Sequence, residues 1–419
     1  MNSGPNKLLC QRIAGEFLPN PPKQLGVAVS GGSDSLALMY LLRVWADHGG
    51  PKLHAVTVDH GLRVESAEEA RQVAEHAARL GISHDCLIWE GWDGRGNLPD
   101  QARRARYRLM QNWAQERGIT HVALGHTADD QAETFLMRLA REAGVDGLSA
   151  MSATRRLGKV VFCRPALRLT REELRDELRK RDVRWIDDPT NDDDAYERVR
   201  VRKALKLLAP LGISASTLAA VSRHMSEVRG TLYWYVFLAA REMVSFQAGD
   251  LLIARKEFRV LQREVSRRLM QSALRWVSNA EYSPRGRAME LLMESIRGGT
   301  GMTLHGCQVM VEPDHLRIVR EHKAVANSRV SVGELWDERW KLTGLVNGHQ
   351  LEIGALGPEG LRQCPDWRAA GLPEASQLSG PAVWRGSELI AAPLAQLENG
   401  WVADMVCDQE DYFASLLSQ

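Results

Sequence analysis

Residues 25–35 read LGVAVSGGSDS, and this stretch decides the class of fold. Leu25–Ser30 is a short apolar segment typical of a buried strand, and a helical pattern begins directly after the stretch. Between strand and helix, Gly31 and Gly32 let the backbone approach an anion, and the free amides of the helix start can donate to phosphate oxygens. Three hydroxyls can add hydrogen bonds: Ser30, Ser33 and Ser35. We predict a phosphate-binding loop, in which Asp34 is placed to hold a magnesium ion.

Two other interpretations of this loop are a plain strand-to-helix turn and a Walker loop. A plain strand-to-helix turn is also rich in glycine and serine. A Walker loop follows the pattern G-x-x-x-x-G-K-[ST], and its lysine is missing here, which disfavours ordinary P-loop hydrolysis. The strand–loop–helix context favours phosphate binding over the plain turn.

The first half of the chain repeats the strand-then-helix pattern. Further apolar strands are predicted at Leu53–Val58, Cys86–Trp89 and His121–Gly125. Helical patterns lie near 35–45, 66–80, 100–117 and 129–141, and capping boxes mark two helix starts, Ser66 with Glu69 and Thr170 with Glu173. Such repeated units predict an α/β fold with a parallel sheet covered on both faces.

After residue 208 the pattern changes, and we predict three domains: 1–208, 209–325 and 331–419. Apolar residues at helical spacing make 209–325 a mostly helical domain, with a helix opened by Pro284 and ended near Gly298. Thr303–Arg320 then predicts two strands around a Pro-Asp turn. The remainder, rich in glycine, proline and short apolar runs, predicts a small β-rich domain.

A second group of polar residues follows the fourth predicted strand. His126 begins it at the carboxyl end of that strand, where open α/β sheets bind their ligands. Asp130 and Glu133 are three residues apart and therefore share a helical face, with Asp129 at the helix start. Acids next to a phosphate loop favour a second metal ligand or a general base. The alternative is that Asp129 is an N-cap and Glu133 a surface charge.

Two basic stretches stand out. Arg103 and Arg106 share one face of a helix that carries four arginines between residues 103 and 108. The segment 198–206, RVRVRKALK, holds five cations and no acid, which favours contact with a phosphate backbone through residues such as Arg198, Arg200 and Arg202. A solvated helix face is the alternative for both stretches.

The composition hides an asymmetry of charge. The hydrophobic share of 44% and charged share of 26% are those of a globular protein, and the net charge is only +1. Residues 331–419 carry 13 acidic and 5 basic side chains, so residues 1–330 carry 40 acidic and 49 basic ones. We therefore predict that the basic body meets a polyanion, and that the acidic tail makes few phosphate contacts.

The six cysteines are scattered without a C-x-x-C pair, which argues against disulfides, a zinc ribbon or a cysteine-ligated cluster. The polar amino end does not resemble a signal peptide. The longest apolar run, Leu232–Ala240, is far shorter than the roughly 20 residues of a membrane span. We expect a reduced, cytoplasmic protein without a membrane partner.

The loop S-G-G-x-D-S after a first strand resembles that of the N-type ATP pyrophosphatases, the PP-loop superfamily. Within it, the chain is most similar to the tRNA(Ile)-lysidine synthetase family, and motif matches cover roughly residues 25–202. Four further segments carry the resemblance: V-D-H-G-L-R at Val58–Arg63, N-x-x-x-x-A-R-x-x-R-Y at Asn97–Tyr107, H-x-x-D-D-x-x-E-T at His126–Thr134, and W-x-x-D-P-[ST]-N at Trp185–Asn191.

The resemblance implies an ATP-dependent ligase. It would join free L-lysine to carbon two of the wobble cytidine in a CAU-anticodon isoleucine tRNA, through an adenylated cytidine, releasing AMP and pyrophosphate. It implies that ATP is bound by the loop, Asp59 and His60, and Mg²⁺ by Asp34 and Asp130. The implied catalytic residues are His126, Asp130, Glu133 and Arg106, with Arg103 near the substrate.

Two segments depart from the family pattern. The family's R-N-x-[IL]-R reads Arg198-Val199-Arg200-Val201-Arg202, so a side-chain hydrogen bond of the asparagine is lost. The family's R-G-S-G reads Arg141-Glu142-Ala143-Gly144, which adds a charge where glycine is usual. Both changes fall at positions where the resemblance implies nucleotide or tRNA contacts, and neither touches the phosphate loop.

The sequence also allows three rival functions. A tRNA-thiolating PP-loop enzyme, acting on cytidine or uridine, is disfavoured because that chemistry usually needs paired cysteines. A glutamine-dependent amidotransferase is weak for want of a separate cysteine-nucleophile domain. A non-catalytic tRNA-binding protein is the rival from another class. The general base is Asp130 or His126, and a homodimer is among the oligomeric states left open.

Overall fold

The computed structural model describes residues 5–59, 61, 66–89, 98–186, 197–284, 286–344 and 351–418. Its contacts divide the chain into two compact units, Met1–Arg229 and Gly230–Gln419. Within the described ranges, no single helix has both the length and the apolar composition to cross a bilayer, although one bent pair, Glu197–Leu211 with Ala215–Met243, meets both criteria. The three predicted domains, 1–208, 209–325 and 331–419, stay a prediction.

The first unit alternates strands and helices as the sequence predicts. Its elements are α1 (Pro5–Gly15), β1 (Gln24–Ala28), α2 (Ser33–Asp47), β2 (Lys52–Asp59), α3 (Ser66–Arg79), β3 (Ser83–Ile88), α4 (Leu98–Glu116), β4 (His121–Leu124), α5 (Ala128–Leu139), α6 (Val145–Leu148), β5 (Thr154–Leu157), β6 (Val160–Cys163), α7 (Arg171–Lys180) and α8 (Glu197–Leu208). Helix α9 (Ala215–Met243) runs from this unit into the second.

The elements of the first unit form one sheet of six strands in the order β3-β2-β1-β4-β6-β5. All neighbouring pairs are parallel except β5 with β6. The four predicted strands are confirmed, and so is the α/β, mostly parallel class. The β5–β6 hairpin was not predicted, because Thr154–Leu157 lies at the sheet edge and has two adjacent arginines instead of an apolar run.

The order places β1 between β2 and β4. The chain passes from β1 to β2 and β3 on one side of β1, and then crosses to β4 on the other side. Val27 is therefore in register with both Ala55 and Ala123. Such a switch point opens a crevice at the carboxyl ends of the two diverging strands, here β1 and β4. The phosphate loop and the segment beginning at His126 both start there.

Helices cover both faces of the sheet. One face packs α1, α2, α3 and α7 against buried side chains such as Leu25 and Val27. The other face packs α4, through Tyr107, Met110 and Trp113, against strands β2, β4 and β6. Because the strands are buried on both faces, their sequences are continuous runs of apolar residues.

The second unit is built from antiparallel sheets and helices. Its elements after α9 are β7 (Val244–Gln247), β8 (Asp250–Ala254), α10 (Arg255–Val260), α11 (Arg263–Ser278), α12 (Gly286–Arg297), β9 (Met302–Leu304), β10 (Cys307–Val311), β11 (His315–Arg320), α13 (His322–Val325), β12 (Arg329–Ser331), β13 (Trp340–Gly344), β14 (Glu352–Ala355), α14 (Gly357–Leu361), α15 (Glu374–Ser379), β15 (Pro381–Arg385), β16 (Glu388–Ala391), β17 (Trp401–Met405) and α16 (Gln409–Leu417).

The described strands of this unit form three sheets, β7-β8-β11-β10-β9, β12-β14-β15-β16 and β13-β17. The predicted hairpin around Pro313-Asp314 is confirmed as β10 paired antiparallel with β11. The β7–β8 hairpin was not predicted, because β7 follows helix α9 without any breaker residue. Its turn needs Gly249, which has a φ of 87° and lies directly under the ring of Trp340.

Candidate active site

The loop Ser30–Ser35 has the local structure of an anion cradle. Gly31 has a φ of 85°, a backbone conformation that is strained for any residue with a side chain, and a Cβ there would also require the Ile186 side chain to move. The Ser35 hydroxyl accepts a hydrogen bond from the Ser30 amide (3.1 Å) and donates to the Gly32 carbonyl (3.2 Å). No side chain caps α2 at Gly32, which leaves the first amides of the helix available to phosphate.

Two neighbouring segments of the chain contact this loop. The Ile186 amide donates to the Gly31 carbonyl at 3.0 Å, so the start of the W-x-x-D-P-[ST]-N motif adjoins the loop. A Cβ on Gly125, just after β4, would lie 2.7 Å from the Cα of Ser35. Close approach of the β1 and β4 loops is therefore possible because residue 125 has no side chain.

Three predicted acids converge on Arg171, the first residue of α7. Its Nε donates to Asp34 Oδ2 at 2.9 Å. Its Nη2 is 3.5 Å from Asp130 Oδ1, and its Nη1 is 3.7 Å from Glu133 Oε1. The Arg171 side chain is 20% exposed, so these charges meet largely out of water. The structure thus brings Asp34 of the loop together with Asp130 and Glu133 of α5.

Arg171 was not predicted, although the sequence holds a signal for it. The predicted capping box is confirmed, because Thr170 accepts from the Glu173 amide and Glu173 accepts from the Thr170 amide at 2.7 Å. Arg171 is therefore the first residue of a helix, where the macrodipole disfavours a cation. A cation at that position indicates an external anionic partner.

Asp130 has a structural role as well. Thr127 is the N-cap of α5, and Asp130 Oδ2 accepts from both the Thr127 amide (2.8 Å) and the Thr127 hydroxyl (3.1 Å). The other oxygen of Asp130 faces Arg171. Asp129 is not the cap, and instead accepts from the Arg171 backbone amide at 2.7 Å. Capping therefore holds one carboxylate oxygen and leaves the second for chemistry.

Glu133 is fully buried, and it is not a surface charge. Burial raises its pKa, and the hydrogen bond that Arg202 Nε donates to Oε1 at 2.6 Å opposes that rise. Among the described residues, its Oε2 atom has no partner although it is buried. A buried carboxylate oxygen without a donor is suited to accept one from a substrate.

The basic helix α8 divides into two faces. Arg202 points to Glu133 of the site, whereas Arg198 and Arg200 are exposed. Val199, which replaces the family's asparagine, is buried with 5% of its surface exposed, so this position serves packing. Binding of tRNA by Arg198, Arg200 and Arg202 stays a prediction.

The second departure also has a structural meaning. Glu142 has a φ of 56°, in the left-handed region that glycine adopts without strain. This explains why the family pattern carries glycine there, and why a glutamate is accommodated only at some conformational cost. The neighbouring Arg141 pairs with Glu197 at 2.6 Å.

His126 lies between the carboxylates and a group of arginines. Burial lowers its pKa to about 3, and the charge of Asp130 opposes this shift. Three guanidinium groups lower the same pKa further: Arg164, Arg106 and Arg103. The imidazole is therefore neutral at pH 7. Its Nδ1 is buried and, within the described part of the chain, makes no hydrogen bond.

Some predicted residues fall partly or wholly outside the described ranges. Asp59 is described at the end of β2, where it accepts from the Gly61 amide at 2.8 Å. His60 lies outside the described residues, as do Leu62–Arg63, Asn97 and Asp187–Asn191 of the motifs. Trp185 is described, with the guanidinium of Arg175 5.6 Å from its ring centre.

Two carboxylates of the site form a donor set suited to magnesium. Across the described residues, no group of three or more His, Cys, Asp or Glu side chains could hold a metal by itself. Asp34 and Asp130 nevertheless converge on one guanidinium, and the charge of Asp130 contributes to raising the pKa of Asp34, after burial. Mg²⁺ is commonly bound by one or two carboxylates together with substrate phosphates and water, so the residues fit this ion.

A phosphate loop without a Walker lysine, at the switch point of a parallel sheet and beside converging carboxylates, defines an ATP-using enzyme of the PP-loop class. Residues 6–208 match the PP-loop domain family. The chain is 48% identical to the tRNA(Ile)-lysidine synthase of Ruegeria pomeroyi, over 98% of both chains. It is 37% identical to that of Bradyrhizobium sp. strain BTAi1, over 70% of this chain and 89% of the relative. The chain belongs to the tRNA(Ile)-lysidine synthase family.

Among solved structures, the chain is similar to the U34-tRNA thiolase NcsA from Methanococcus maripaludis with its [4Fe-4S] cluster. The TM-score is 0.46 and the identity 16%, over 53% of this chain and 78% of that chain. A likeness of this size does not bear on function.

Proposed function

We propose that the protein ligates free L-lysine to carbon two of the wobble cytidine of the CAU-anticodon isoleucine tRNA, using ATP and releasing AMP and pyrophosphate. The observation that carries this proposal is the 48% identity to a tRNA(Ile)-lysidine synthase along 98% of both chains. The site geometry supports it, because a phosphate loop, carboxylates and arginines meet at the switch point. The relatives do not favour the thiolation or non-catalytic alternatives.

The first step is adenylation of the cytidine. The oxygen on carbon two of cytosine attacks the α-phosphorus of ATP, a bond forms between them, and the α–β phosphoanhydride bond breaks to release pyrophosphate. The loop Ser30–Ser35 would hold the departing phosphates through amides and hydroxyls. Arg106 and Arg171 would stabilise the charge that develops on phosphate oxygens.

The second step is attack by lysine. The ε-amine forms a bond to carbon two, the carbon–oxygen bond to the adenylate breaks, and AMP leaves. Adenylation is needed because a pyrimidine carbonyl oxygen is a very poor leaving group. The ammonium form has no lone pair, so a base must take its proton first. The two predicted bases are Asp130, whose Oδ1 atom faces Arg171, and His126, whose buried Nδ1 has no hydrogen-bond partner among the described residues.

Asp34 and Asp130 would hold Mg²⁺ together with the triphosphate. When bound, the ion supplies positive charge that offsets the charge of the phosphates. Replacing Asp34 by Ala should abolish pyrophosphate release, and replacing Asp130 by Asn should raise the magnesium concentration needed for half-maximal release. The matched control is Asp176→Ala, an exposed acid on α7 paired with Arg179. Near-normal release by Asp34→Ala would refute the metal assignment.

One assay tests the whole proposal. The protein is incubated with ATP, labelled lysine and total bacterial tRNA, and acid-precipitable lysine that resists mild alkali is measured. Mild alkali removes ester-linked lysine, so resistant label reports a carbon–nitrogen bond. Incorporation is the expected result. Consumption of ATP without incorporation would point to a different nucleophile and refute the proposal.

Location and assembly are further proposals. A tRNA substrate supports a cytoplasmic location, which cell fractionation tests. A homodimer remains the assembly to examine first, and light scattering of the purified protein measures it directly.

A further inference from the structure

Four arginines surround one buried aromatic ring beside the site. Tyr107 on α4 is 3% exposed, and three guanidinium carbons lie 5.2–5.7 Å from its ring centre: Arg155, Arg103 and Arg106. A fourth guanidinium, that of Arg164, donates from Nη2 to the Tyr107 hydroxyl at 3.1 Å. These residues come from three separate segments: α4, β5 and the loop after β6.

Three of the four arginines carry positive charge without a carboxylate partner in the described part of the chain. Among the described residues, no acid forms an ion pair with Arg103, Arg106 or Arg164. Arg164 is only 5% exposed, and its Nη1 donates to the Ser152 carbonyl at 2.7 Å. The Nε atoms of Arg106 and Arg164 are both buried without a hydrogen-bond partner in the described part of the chain. Buried cations of this kind are normally paired with an anion, so Arg106 and Arg164 can accept an anionic partner.

The charge of the cluster acts on the tyrosine and on the site. Burial by itself would raise the pKa of Tyr107, yet the surrounding arginines lower it. Arg164 follows β6 and His126 follows β4, and these two strands are parallel neighbours, so the cluster lies beside His126. Arg103, Arg106 and Arg164 also lower the pKa of His126. An anion bound here would therefore lie next to the reacting atoms.

The position of the cluster separates it from the phosphate loop. The loop Ser30–Ser35 opens α2, which packs with α7 on one face of the sheet, whereas Tyr107 and α4 cover the opposite face. The loop also has its own arginines, since Arg171 contacts Asp34 and Arg175 Nε donates to the Ser33 hydroxyl at 3.3 Å. A second phosphate-bearing group, distinct from the one in the loop, fits the arginine cluster.

The surface around the cluster favours a polyanion. Arg103 is exposed, and so is Lys159 in the turn of the β5–β6 hairpin. Positive charge thus continues outward from the pocket along the sheet edge. A nucleic-acid backbone can follow such a surface, whereas a single nucleotide cannot.

We propose that Arg103, Arg155 and Arg164 form a phosphate-binding pocket over Tyr107 that holds a backbone phosphodiester of the tRNA beside the reacting cytidine, while Arg106 keeps its role in the adenylation step. This inference rests on the proposed function and adds to it the residues Arg155 and Arg164. The guanidinium groups supply donors to the phosphate oxygens, and Tyr107 together with Ser152 holds Arg164 in place.

The test compares Arg155→Ala with Arg156→Ala in the full-length protein. The two arginines are neighbours on β5, so their side chains point to opposite faces and each variant loses one charge. Binding of a CAU-anticodon isoleucine tRNA transcript is measured by fluorescence anisotropy at several salt concentrations. Binding of an ATP analogue with a non-hydrolysable α–β bond is measured in parallel.

We expect Arg155→Ala to weaken tRNA binding by about tenfold, as loss of a charge-assisted hydrogen bond does. It should also reduce the slope of log affinity against log salt by about one, because one phosphate is no longer neutralised. ATP-analogue binding should not change. Arg156→Ala should weaken tRNA binding by no more than about twofold, since exposed charges are screened.

Several outcomes would overturn the proposal. Equal losses of tRNA affinity in both variants would mean that the charge acts diffusely and not through a pocket. A loss of affinity for the ATP analogue alone would mean that the pocket binds the triphosphate. Unchanged tRNA binding by Arg155→Ala, with the unaltered protein binding normally, would refute the pocket alone. Failure of the unaltered protein to bind tRNA would refute the proposed function with it.

Arg164→Lys is the second variant, with the thermal midpoint checked first because Arg164 is buried. Lysine keeps the charge but cannot donate to Ser152, Tyr107 and a phosphate in the same geometry. A folded variant with about tenfold weaker tRNA binding supports the pocket. A folded variant with normal tRNA binding contradicts it.

Discussion

At the scale of single residues, the site depends on Arg171. This cation lies between Asp34 of the phosphate loop and two acids of α5, Asp130 and Glu133. Burial raises the pKa of Asp34 and of Glu133, and Arg171 opposes that rise in both. Arg171 therefore favours the ionised form of both acids, and its Nε is 2.9 Å from Asp34 of the loop.

Replacing Arg171 by Ala should reduce pyrophosphate release by roughly 100-fold or more, since an oriented charge-stabilising donor is removed. It should also destabilise the fold by about 3–5 kcal/mol, because buried carboxylates lose their cation. Denaturant unfolding and a pyrophosphate assay measure the two effects. Arg168→Ala is the control, because Arg168 is exposed and 3.7 Å from Glu16, and it should cost less than about 1 kcal/mol. Full activity of the Ala variant would contradict this role.

His126 leads to a prediction about pH. Its pKa is about 3 in the folded chain, below the ordinary value of 6.5, because burial disfavours the imidazolium. Between these values the unfolded chain binds a proton that the folded chain does not, so the contribution to stability is full above pH 6.5 and falls on acidification. The unfolding free energy of His126→Gln should therefore depend on pH less steeply than that of the unaltered protein, by about 1.4 kcal/mol per unit. Parallel curves from pH 4 to 6.5 would exclude this.

At the scale of elements, the site is assembled by helix starts. Helices α2, α5 and α7 all begin at the carboxyl edge of the sheet, and each presents a functional side chain in its first turn: Asp34, Asp130 and Arg171. Capping boxes at Thr127 and Thr170 set where α5 and α7 begin. The positions of the two caps therefore determine where Asp130 and Arg171 lie in the site.

Thr170→Ala should destabilise the protein by about 1 kcal/mol, since the hydroxyl that accepts from the Glu173 amide is lost. It should also lower the rate of pyrophosphate release, because Arg171 is the next residue and its direction depends on this cap. Thr170→Ser is the control, because it keeps the hydroxyl and should preserve both quantities. A loss of stability with no loss of rate would show that the Thr170 cap does not orient Arg171, and would contradict the prediction.

At the scale of the whole molecule, the structure accounts for part of the charge asymmetry. Acids of the tail pair with arginines earlier in the second unit, as Asp337 does with Arg320 at 2.9 Å and Glu410 with Arg241 at 2.6 Å. Asp250 of β8 likewise accepts from Arg317 at 2.9 Å and from Ser376 of the tail at 2.5 Å. Some of the tail's acidity thus stabilises the fold of this unit.

Asp250→Ala should destabilise the protein by roughly 3–5 kcal/mol, because the buried Arg317 loses a partner at a site that is 4% exposed. Glu388→Ala is the control, since its pair with Arg385 at 3.5 Å is exposed and should contribute less than about 1 kcal/mol. Urea unfolding measures both variants. Equal effects would show that burial of the pair has no energetic consequence.

Local patterns in the sequence determined much of this protein. The strand–loop–helix of residues 25–35, the spacing of Asp130 and Glu133, and the cap at Thr170 each depend on a few neighbouring residues. Local sterics and hydrogen bonding decide such features, so they can be predicted without a fold. The edge strands β5 and β7 escaped prediction, because neither has an apolar run bounded by breakers.

Tertiary structure alone decided which distant residues meet. Arg171 lies 137 positions from Asp34, and Arg164 lies 57 positions from Tyr107. No short-range pattern links such residues, and they become neighbours because the strand order brings the ends of β1, β4 and β6 to one edge. The sequence thus determined the phosphate loop and its acids, while the order of strands in the sheet placed the cations around them.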